Sequence, residues 1–267
     1  MDNLSQYNPP NSELRKMQMK MLEMLIFIDS VCEKHQIKYW LAAGTLLGAV
    51  RHKGFIPWDD DLDIEMLRED YDKLIKVLEK ELSYNYALQT HQTDRNYIFP
   101  IAKLRDKDSM ISEVRKNDLD YKYRGIFIDI FYLDRGDFFL ARLTVNIQKA
   151  LFALTLIKND TLGILFLTKR ALFFLIHEIL FPVFRFFARI CKIRTYILPF
   201  GTGFTAKREL DNIFPLKKIC FEGIYFSAPV NTDAYLKELY GDYMQLPAED
   251  KRRMHTIDVN LFRNEIS

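Results

Sequence analysis

The segment Trp58-Asp59-Asp60-Asp61-Leu62-Asp63 places four aspartates in five positions. Like charges so close repel unless a cation or solvent compensates them, so something positive is expected there. From Asp61 to Met66 polar and apolar residues alternate strictly. As a strand this segment turns Leu62, Ile64 and Met66 to the core and Asp61 and Asp63 to the other face. Two carboxylates projecting together can share a hard divalent cation such as Mg2+, or Mn2+ in its place. Asp129 is the candidate third carboxylate. It sits in Gly125-Ile126-Phe127-Ile128-Asp129-Ile130-Phe131, a run otherwise apolar enough to be a buried strand, where an unpaired charge is costly. Pairing with Lys103 or Arg105 is the structural alternative for Asp129, and a solvated acidic turn explains Asp59 and Asp60 equally well. A calcium loop fails, because its sharp-turn position holds Ile64 instead of Gly and its last position holds Asp70 instead of Glu.

About a dozen residues earlier, Ala43-Gly44-Thr45-Leu46-Leu47-Gly48 reads as a glycine turn opening a helix. Its free N–H groups and the Thr45 hydroxyl are suited to receive a phosphate. Alone the GxxxG spacing is more often close packing. A phosphate cradle beside a metal pair is what transfer of a phosphoryl-type group needs, since a cation neutralises the diphosphate and a carboxylate takes the proton of the incoming hydroxyl.

The elements that must hold these residues are legible in the periodicity. Leu14, Met17, Met21, Leu25, Ile28 and Val31 recur at three- and four-residue steps, which predicts an amphipathic helix over Ser12–His35 with the Met stripe as core. A strand over Lys38–Ala42 runs into the glycine turn and one or two helical turns over Leu46–Arg51. Helical period returns over Glu69–Leu82. Extended runs follow at Tyr86–Thr90, Ile98–Leu104, Ser109–Glu113 and Gly125–Tyr132, so helices and strands interleave around one sheet. From Phe138 to Phe200 the pattern is helical, and beyond it a short strand (Gly223–Phe226) and a helix (Thr232–Tyr240) complete the chain. The expected fold is α+β: a mixed sheet flanked by helices, one domain over residues 1–267, with the segment 138–200 as a helical insertion.

Composition narrows the function classes. With 38 Lys+Arg against 36 Asp+Glu, the net charge is +2, which gives no bulk electrostatic case for nucleic acid as a partner. Cys32, Cys191 and Cys220 form neither a CxxC pair nor an even set, which fits a reducing compartment better than a disulfide framework. The N-terminus lacks a basic segment followed by an apolar one, so no secretory signal is expected. No uncharged run exceeds 12 residues, short of the ~18 that a spanning helix normally shows. The expectation is a cytoplasmic protein, at most at the inner face of the cell membrane.

The run Tyr39–Ile64, YWLAAGTLLGAVRHKGFIPWDDDLDI, resembles the signature of the LicD family, which includes bacterial phosphocholine transferases and is related to the fukutin-type proteins. Lys103-Leu104-Arg105-Asp106, the segment Gly125–Asp134, and Tyr240-Gly241-Asp242-Tyr243-Met244 through Leu246-Pro247 to His255 extend the resemblance over nearly the whole chain after about residue 20. Tyr132 stands where the family usually carries Pro. The resemblance implies a nucleotidyltransferase-like fold and transfer of a phospho-alcohol from a CDP-alcohol, CDP-choline or CDP-ribitol, to a glycan hydroxyl with release of CMP. The acceptor would be a teichoic acid, lipopolysaccharide or capsule precursor, in many members lipid-linked. It also implies that Asp61 and Asp63 hold Mg2+ against the diphosphate, that Asp129 completes the metal site and serves as general base, and that Gly44 and Thr45 contact phosphate. Lys103 and Arg105, alternating on one strand face, either bind the diphosphate or make an ordinary salt bridge. His52 and Lys53 belong to the family motif, although a plain exposed position before Gly54 explains them; His255 is either a site residue or a capping histidine. Choline would sit on aromatic faces, for which Trp40, Trp58, Tyr97, Tyr121 and Tyr123 are available. Two other readings stay open: a nucleotidyltransferase releasing pyrophosphate from a nucleoside triphosphate, and a catalytically silent scaffold docking a membrane assembly.

Eleven of the 21 Phe lie between Phe138 and Phe200. That stretch carries nine Lys+Arg against Asp160 and Glu178, a local +7 that leaves −5 for the rest. Leu162, Phe166, Phe173, Ile176, Leu180, Phe184 and Phe187 follow helical spacing, interrupted at Pro182. Basic, aromatic helices suit an anionic membrane surface; packing on the catalytic sheet or on another subunit explains them equally.

Overall fold

Ser12 starts the first helix where the spacing predicts. Its Oγ accepts from the Arg15 N–H at 3.0 Å and caps α1 (Glu13–Lys34), an interaction worth about 1 kcal/mol. Met17, Met21 and Met24 are buried, so the Met stripe is core. The computed structural model describes residues 4–113, 120–155, 163–203, 205–252, 254 and 256–260. After α1 come β1 (Tyr39–Leu41), α2 (Ala43–His52), β2 (Asp63–Leu67), α3 (Arg68–Glu81), β3 (Tyr86–Gln89), β4 (Ala102–Asp106), β5 (Met110–Glu113) and β6 (Phe127–Arg135). The second half holds α4 (Phe138–Thr155), α5 (Ile164–Phe174), α6 (Phe181–Ile190), β7 (Tyr196–Ile197), α7 (Leu210–Ile213), β8 (Lys217–Phe221), β9 (Ile224–Ala228), α8 (Thr232–Tyr240) and β10 (Thr256–Asn260).

The fold is α+β, with a mixed six-stranded sheet ordered β1-β2-β6-β4-β3 and β7 added to the end of β6. Only the β2–β6 pair is parallel, as a crossover through α3 and two antiparallel strands requires; β1, β4, β3 and β7 pair antiparallel with their neighbours. One face of β6 presents Ile128, Ile130 and Tyr132 to α1 and α3, where the Tyr71 and Tyr132 rings lie 4.7 Å apart. Leu74 and Leu78 of α3 are fully buried there, each contributing roughly 1.5–3 kcal/mol. The opposite face carries the charged residues and is partly covered by the chain after β7.

Several boundaries differ from the periodicity. Residues 98–101 are not strand, and β4 begins at Ala102. β6 runs on to Arg135, so Tyr132 is an interior strand residue paired with Met66 and not part of a turn. The single strand expected at 223–226 is a hairpin, β8–β9, whose turn residues Glu222 and Gly223 both adopt left-handed backbone, with φ of 51° and 81°. β7, inside the segment read as helical, closes onto Asp134 and Arg135.

Pro182 does not break the second long helix. The segment Ile164–Ile190 is one continuous 27-residue helix, with a π-helical turn at Leu175–Leu180 just before the proline. The Phe181 N–H reaches back to Ile176 O, so the wider turn absorbs the irregularity next to a residue that has no N–H to give. By length and composition this helix is apolar enough to cross a membrane, although Lys169, Arg170, Glu178, Arg185 and Arg189 interrupt every uncharged run. Three polar contacts fasten it to the rest of the protein: Arg170 Nη1 donates to Arg95 O at 2.8 Å, His177 Nε2 meets Gln148 Oε1 at 2.8 Å, and Arg185 Nε donates to Asp134 Oδ1 at 2.7 Å.

Burial, with His91 and Arg185 nearby, pushes the His177 imidazole down to about 3. The unfolded chain therefore binds a proton between about pH 6.5 and 3 that the folded chain refuses, and stability falls as the pH drops through that window. Between pH 7 and 5 the wild type should lose about 2 kcal/mol more than His177→Gln, read from urea unfolding at the two pH values. An equal loss in both proteins would show that His177 does not titrate in this way.

Candidate active site

Asp63 opens β2, and Asp129 is its register partner on the parallel neighbour β6, the Asp129 N–H donating to Leu62 O at 2.9 Å. Residues paired in this way stand about 4.8 Å apart on one face of the sheet. Lys103, across from Asp129 on β4, brings its Nζ to 2.7 Å from Asp129 Oδ1 and lies over the Phe127 ring. The pairing forms a row across three strands, Asp63-Asp129-Lys103. Of the two partners foreseen for Asp129, the structure selects Lys103. Asp129 Oδ1 is buried and receives no aligned hydrogen bond despite the ionic contact, which leaves an oxygen lone pair available in the site.

Asp61 precedes the strand instead of lying in it, in an extended stretch whose Leu62 is fully buried as the alternation predicts. Asp59, read as an acidic turn, belongs to the cluster: its carboxyl is hydrogen-bonded to that of Asp61, and a Cβ on Gly44 would stand 2.9 Å from Asp59 Oδ2. Gly44 is thus glycine because a carboxylate packs over the helix start. Burial, followed by repulsion from Asp61 and Asp60, pushes Asp59 well above the usual carboxylate range. Asp63 is pushed well up by burial and then by Asp61, Asp129 and Asp59, with Lys103 opposing. The loop is anchored from below by Gln18 of α1, whose Nε2 donates to Asp59 O at 2.9 Å. Asp60 is buried as well.

The helix start is open as expected. Ala42 provides no side-chain cap to α2, and Ala43 takes φ of 42°, a left-handed conformation costly for a residue with a Cβ. The Thr45 hydroxyl accepts the Asp63 N–H at 2.8 Å, so Thr45 locks the metal-candidate strand to the phosphate-candidate turn while keeping its own proton to donate. Gly48 lets α2 lie against the following loop, since a Cβ there would meet Gly54 O at 2.5 Å.

Other predicted site residues are placed differently. Arg105 is fully buried, donating to Gln89 Oε1 and to Gly125 O, both at 2.8 Å, and it braces β4 instead of facing the aspartates. His52 accepts from Arg51 Nε at 2.9 Å, and burial together with Arg51 pushes it down to about 4, so it is neutral at physiological pH. Lys53 ends α2 in left-handed backbone with an exposed side chain, its carbonyl accepting from Glu222 N–H. Trp58 is buried, and the Arg252 guanidinium lies 5.2 Å from its ring centroid. His255 lies outside the described residues.

Sequence reasoning passed over two features. Glu65, two residues beyond Asp63 on the same face, is buried in a bidentate pair with Arg208, at 2.7 Å to Nη2 and 3.2 Å to Nε, and also accepts the Trp40 indole N–H. Tyr240, at the end of α8, is 46% exposed, and desolvation of its phenol followed by Asp63, Asp59 and Asp61 pushes it up, which puts it within electrostatic reach of the cluster. The only signal for Tyr240 was its place in the Tyr240–Met244 motif; Arg208 had none.

Residues 36–151 match the family profile described as "LicD/FKTN/FKRP, nucleotidyltransferase domain". The chain carries a LicD-family domain. Over 267 aligned residues, 91% of this chain and 96% of the relative, it is 28% identical to the lipopolysaccharide cholinephosphotransferase LicD of Haemophilus influenzae. Over 44 residues, 16% of this chain and 9% of theirs, it is 46% identical to the ribitol 5-phosphate transferase FKRP of Mus musculus and of Homo sapiens. The LicD domain limits enclose β1 through most of α4, and with them Asp61, Asp63, Asp129, Lys103 and the open helix start.

The donor set suits a hard cation: every candidate ligand is a carboxylate oxygen, and burial followed by crowding of the carboxylates raises Asp63. Among the described residues no three His, Cys, Asp or Glu side chains converge as a finished metal site. The three-carboxylate set expected of Asp61, Asp63 and Asp129 is therefore not drawn together as a ready metal site; an Mg2+ ion held by one or two of these carboxylates would complete its shell with water and substrate phosphate.

Proposed function

We propose that this protein transfers a phospho-alcohol, phosphocholine being the favoured cargo, from a CDP-alcohol to a hydroxyl of a cell-surface glycan precursor and releases CMP. The observation that carries the reading is the placement of Asp61, Asp63 and Asp129 beside the uncapped start of α2, in a domain shared with a lipopolysaccharide cholinephosphotransferase. Asp61 and Asp63 would hold Mg2+, which when bound would neutralise charge on the donor's diphosphate. The backbone N–H groups of Gly44 and Thr45 would receive a phosphate oxygen. Asp129 would take the proton of the acceptor hydroxyl as its oxygen bonds to the phosphorus carrying the alcohol, while the bond from that phosphorus to the bridging oxygen breaks and CMP leaves. Lys103 holds Asp129 in place for that proton transfer.

The burial pattern narrows the choline site. Trp40 and Tyr97 are fully buried, and Trp58 is covered by Arg252. Tyr121 and Tyr123 retain exposure, and Tyr121 packs edge-on against Tyr97, whose phenol is within the electrostatic reach of Asp129. Lys122 already lies 4.8 Å from the Tyr123 ring centroid, so Tyr121 is the aromatic proposed for an alkylammonium group.

The test offers CDP-choline, CDP-ribitol and CDP-glycerol in turn, with Mg2+ and a glycan acceptor, and measures CMP. CMP release that needs the acceptor is expected from CDP-choline. Pyrophosphate release from a nucleoside triphosphate would replace the reading by nucleotidyl transfer, and no calorimetric binding of Mg2+ or any CDP-alcohol would replace it by a scaffold.

A further inference from the structure

The continuous helix Ile164–Ile190 buries one stripe and leaves the other bare. Phe173, His177, Phe181 and Ala188 face the protein, packing on α4, on β7 and on the loop before β4. Ile164, Leu167, Phe174, Ile179, Phe186 and Ile190 all stand about half exposed or more, with Phe186 at 61% and Leu167 at 63%. Their three- to seven-residue spacing puts them on one side along all 27 residues, a length of about 40 Å. A solvated protein rarely shows so long an uninterrupted apolar face. Phe138 and Phe139, 62% and 71% exposed at the start of α4, add two further bare rings in the same helical module.

Charge says what covers it. Arg189, Lys192 and Arg194 are exposed at the C-terminal end of the helix, and Arg142 and Lys149 are exposed on α4. Over residues 163–203 the only acid is Glu178, and its carboxylate is turned to His91 at 3.6 Å. An apolar stripe edged by cations with one engaged acid matches a surface that is apolar within and anionic at its rim. Two copies of this face brought together would oppose cation to cation. The helix cannot stand across a bilayer without losing Arg170 to Arg95 O, His177 to Gln148 and Arg185 to Asp134, which tie it near its start, middle and end.

We propose that Ile164–Ile190 lies in the interfacial plane of an anionic phospholipid bilayer, with its bare stripe in the acyl boundary and Arg189, Lys192 and Arg194 among the headgroups. This is independent of the transfer reaction, because docking is measured without donor or acceptor. The experiment is co-sedimentation of the full chain with vesicles of phosphatidylcholine alone and of phosphatidylcholine with 30% phosphatidylglycerol. At least tenfold stronger partitioning onto the anionic vesicles is expected, weakening as salt is raised. Phe174→Ser/Phe186→Ser should lose a further tenfold or more while keeping the wild-type melting temperature within a few degrees, whereas Tyr225→Ser, an exposed aromatic on β9, should bind as wild type. Absence of binding to the anionic vesicles would overturn the proposal, as would a double variant that binds like wild type. A micromolar dimer, seen by sedimentation velocity and dissolved by the same two substitutions, would also overturn it and assign the face to a second copy.

Discussion

Asp63→Asn is expected to lower the rate of CMP release by about a thousandfold or more, corresponding to about 4 kcal/mol of barrier, while the protein melts no lower than wild type without metal. The reason is the local electrostatics. Asp63 stands in a row with Asp129, beside Asp61 and Asp59, and burial and repulsion already push its carboxyl well up. Removing the charge relieves the metal-free fold and removes what would hold a cation at the donor's diphosphate. Asp61→Asn and Asp129→Asn should show the same division between activity and stability, the latter leaving Lys103 unpaired and so melting somewhat lower. Glu69→Gln, an exposed residue in the first turn of α3, is the control and should stay within about twofold of wild type in the same assay. Paired melts and rates settle the matter: a fully active Asp63→Asn protein refutes the site, and an inactive one that has simply unfolded reports on the fold.

Arg208→Met carries the largest expected effect on stability, a loss of about 3–5 kcal/mol. It strands Glu65 in the interior without its bidentate partner, leaving it the Trp40 indole N–H at 3.3 Å. The pair joins β2 to a segment 143 residues away, so the cost falls on the union between the catalytic sheet and the chain after β7. Replacing both residues, Glu65→Leu with Arg208→Met, should recover most of the loss, since two apolar side chains can fill the space of a buried pair. Urea midpoints of the two single variants and the double variant complete the cycle; additive losses would mean that the two charges do not depend on each other.

The parts of this molecule that could be read from residues alone are those written in local periods. The alternation Asp61–Met66 predicts which side chains enter the core, and Leu62, Ile64 and Met66 do so. Ser12 and the spacing behind it mark α1 to within a residue. An aspartate in the apolar run around Ile128 asks for a partner within reach of the same sheet, and Lys103 answers from the adjoining strand. Even the acidic cluster was legible as a demand for positive charge, because repulsion among neighbours in sequence needs no fold to be felt. Where the sequence reading fell short, the missing information was distance in space. Asp59 looks like a solvated turn until Gly44 is seen beneath its carboxylate. Arg105 shares a strand face with Lys103, but Gln89 and Gly125 claim it. Pro182 reads as a break, and the π turn before it carries the helix through.

The sequence by itself determined the strand and helix periods, the crowding of carboxylates and the concentration of Phe and basic residues in one stretch, because each depends on neighbours along the chain. The tertiary structure alone decided that Glu65 is neutralised by Arg208, that Tyr240 comes within electrostatic reach of the aspartates, that Trp58 is roofed by Arg252, and that one stripe of the Phe-rich helix is left uncovered by the described residues. Such pairings set residues side by side that lie up to two hundred positions apart, and burial in common, which periodicity cannot encode, is what fixes their charge and their exposure.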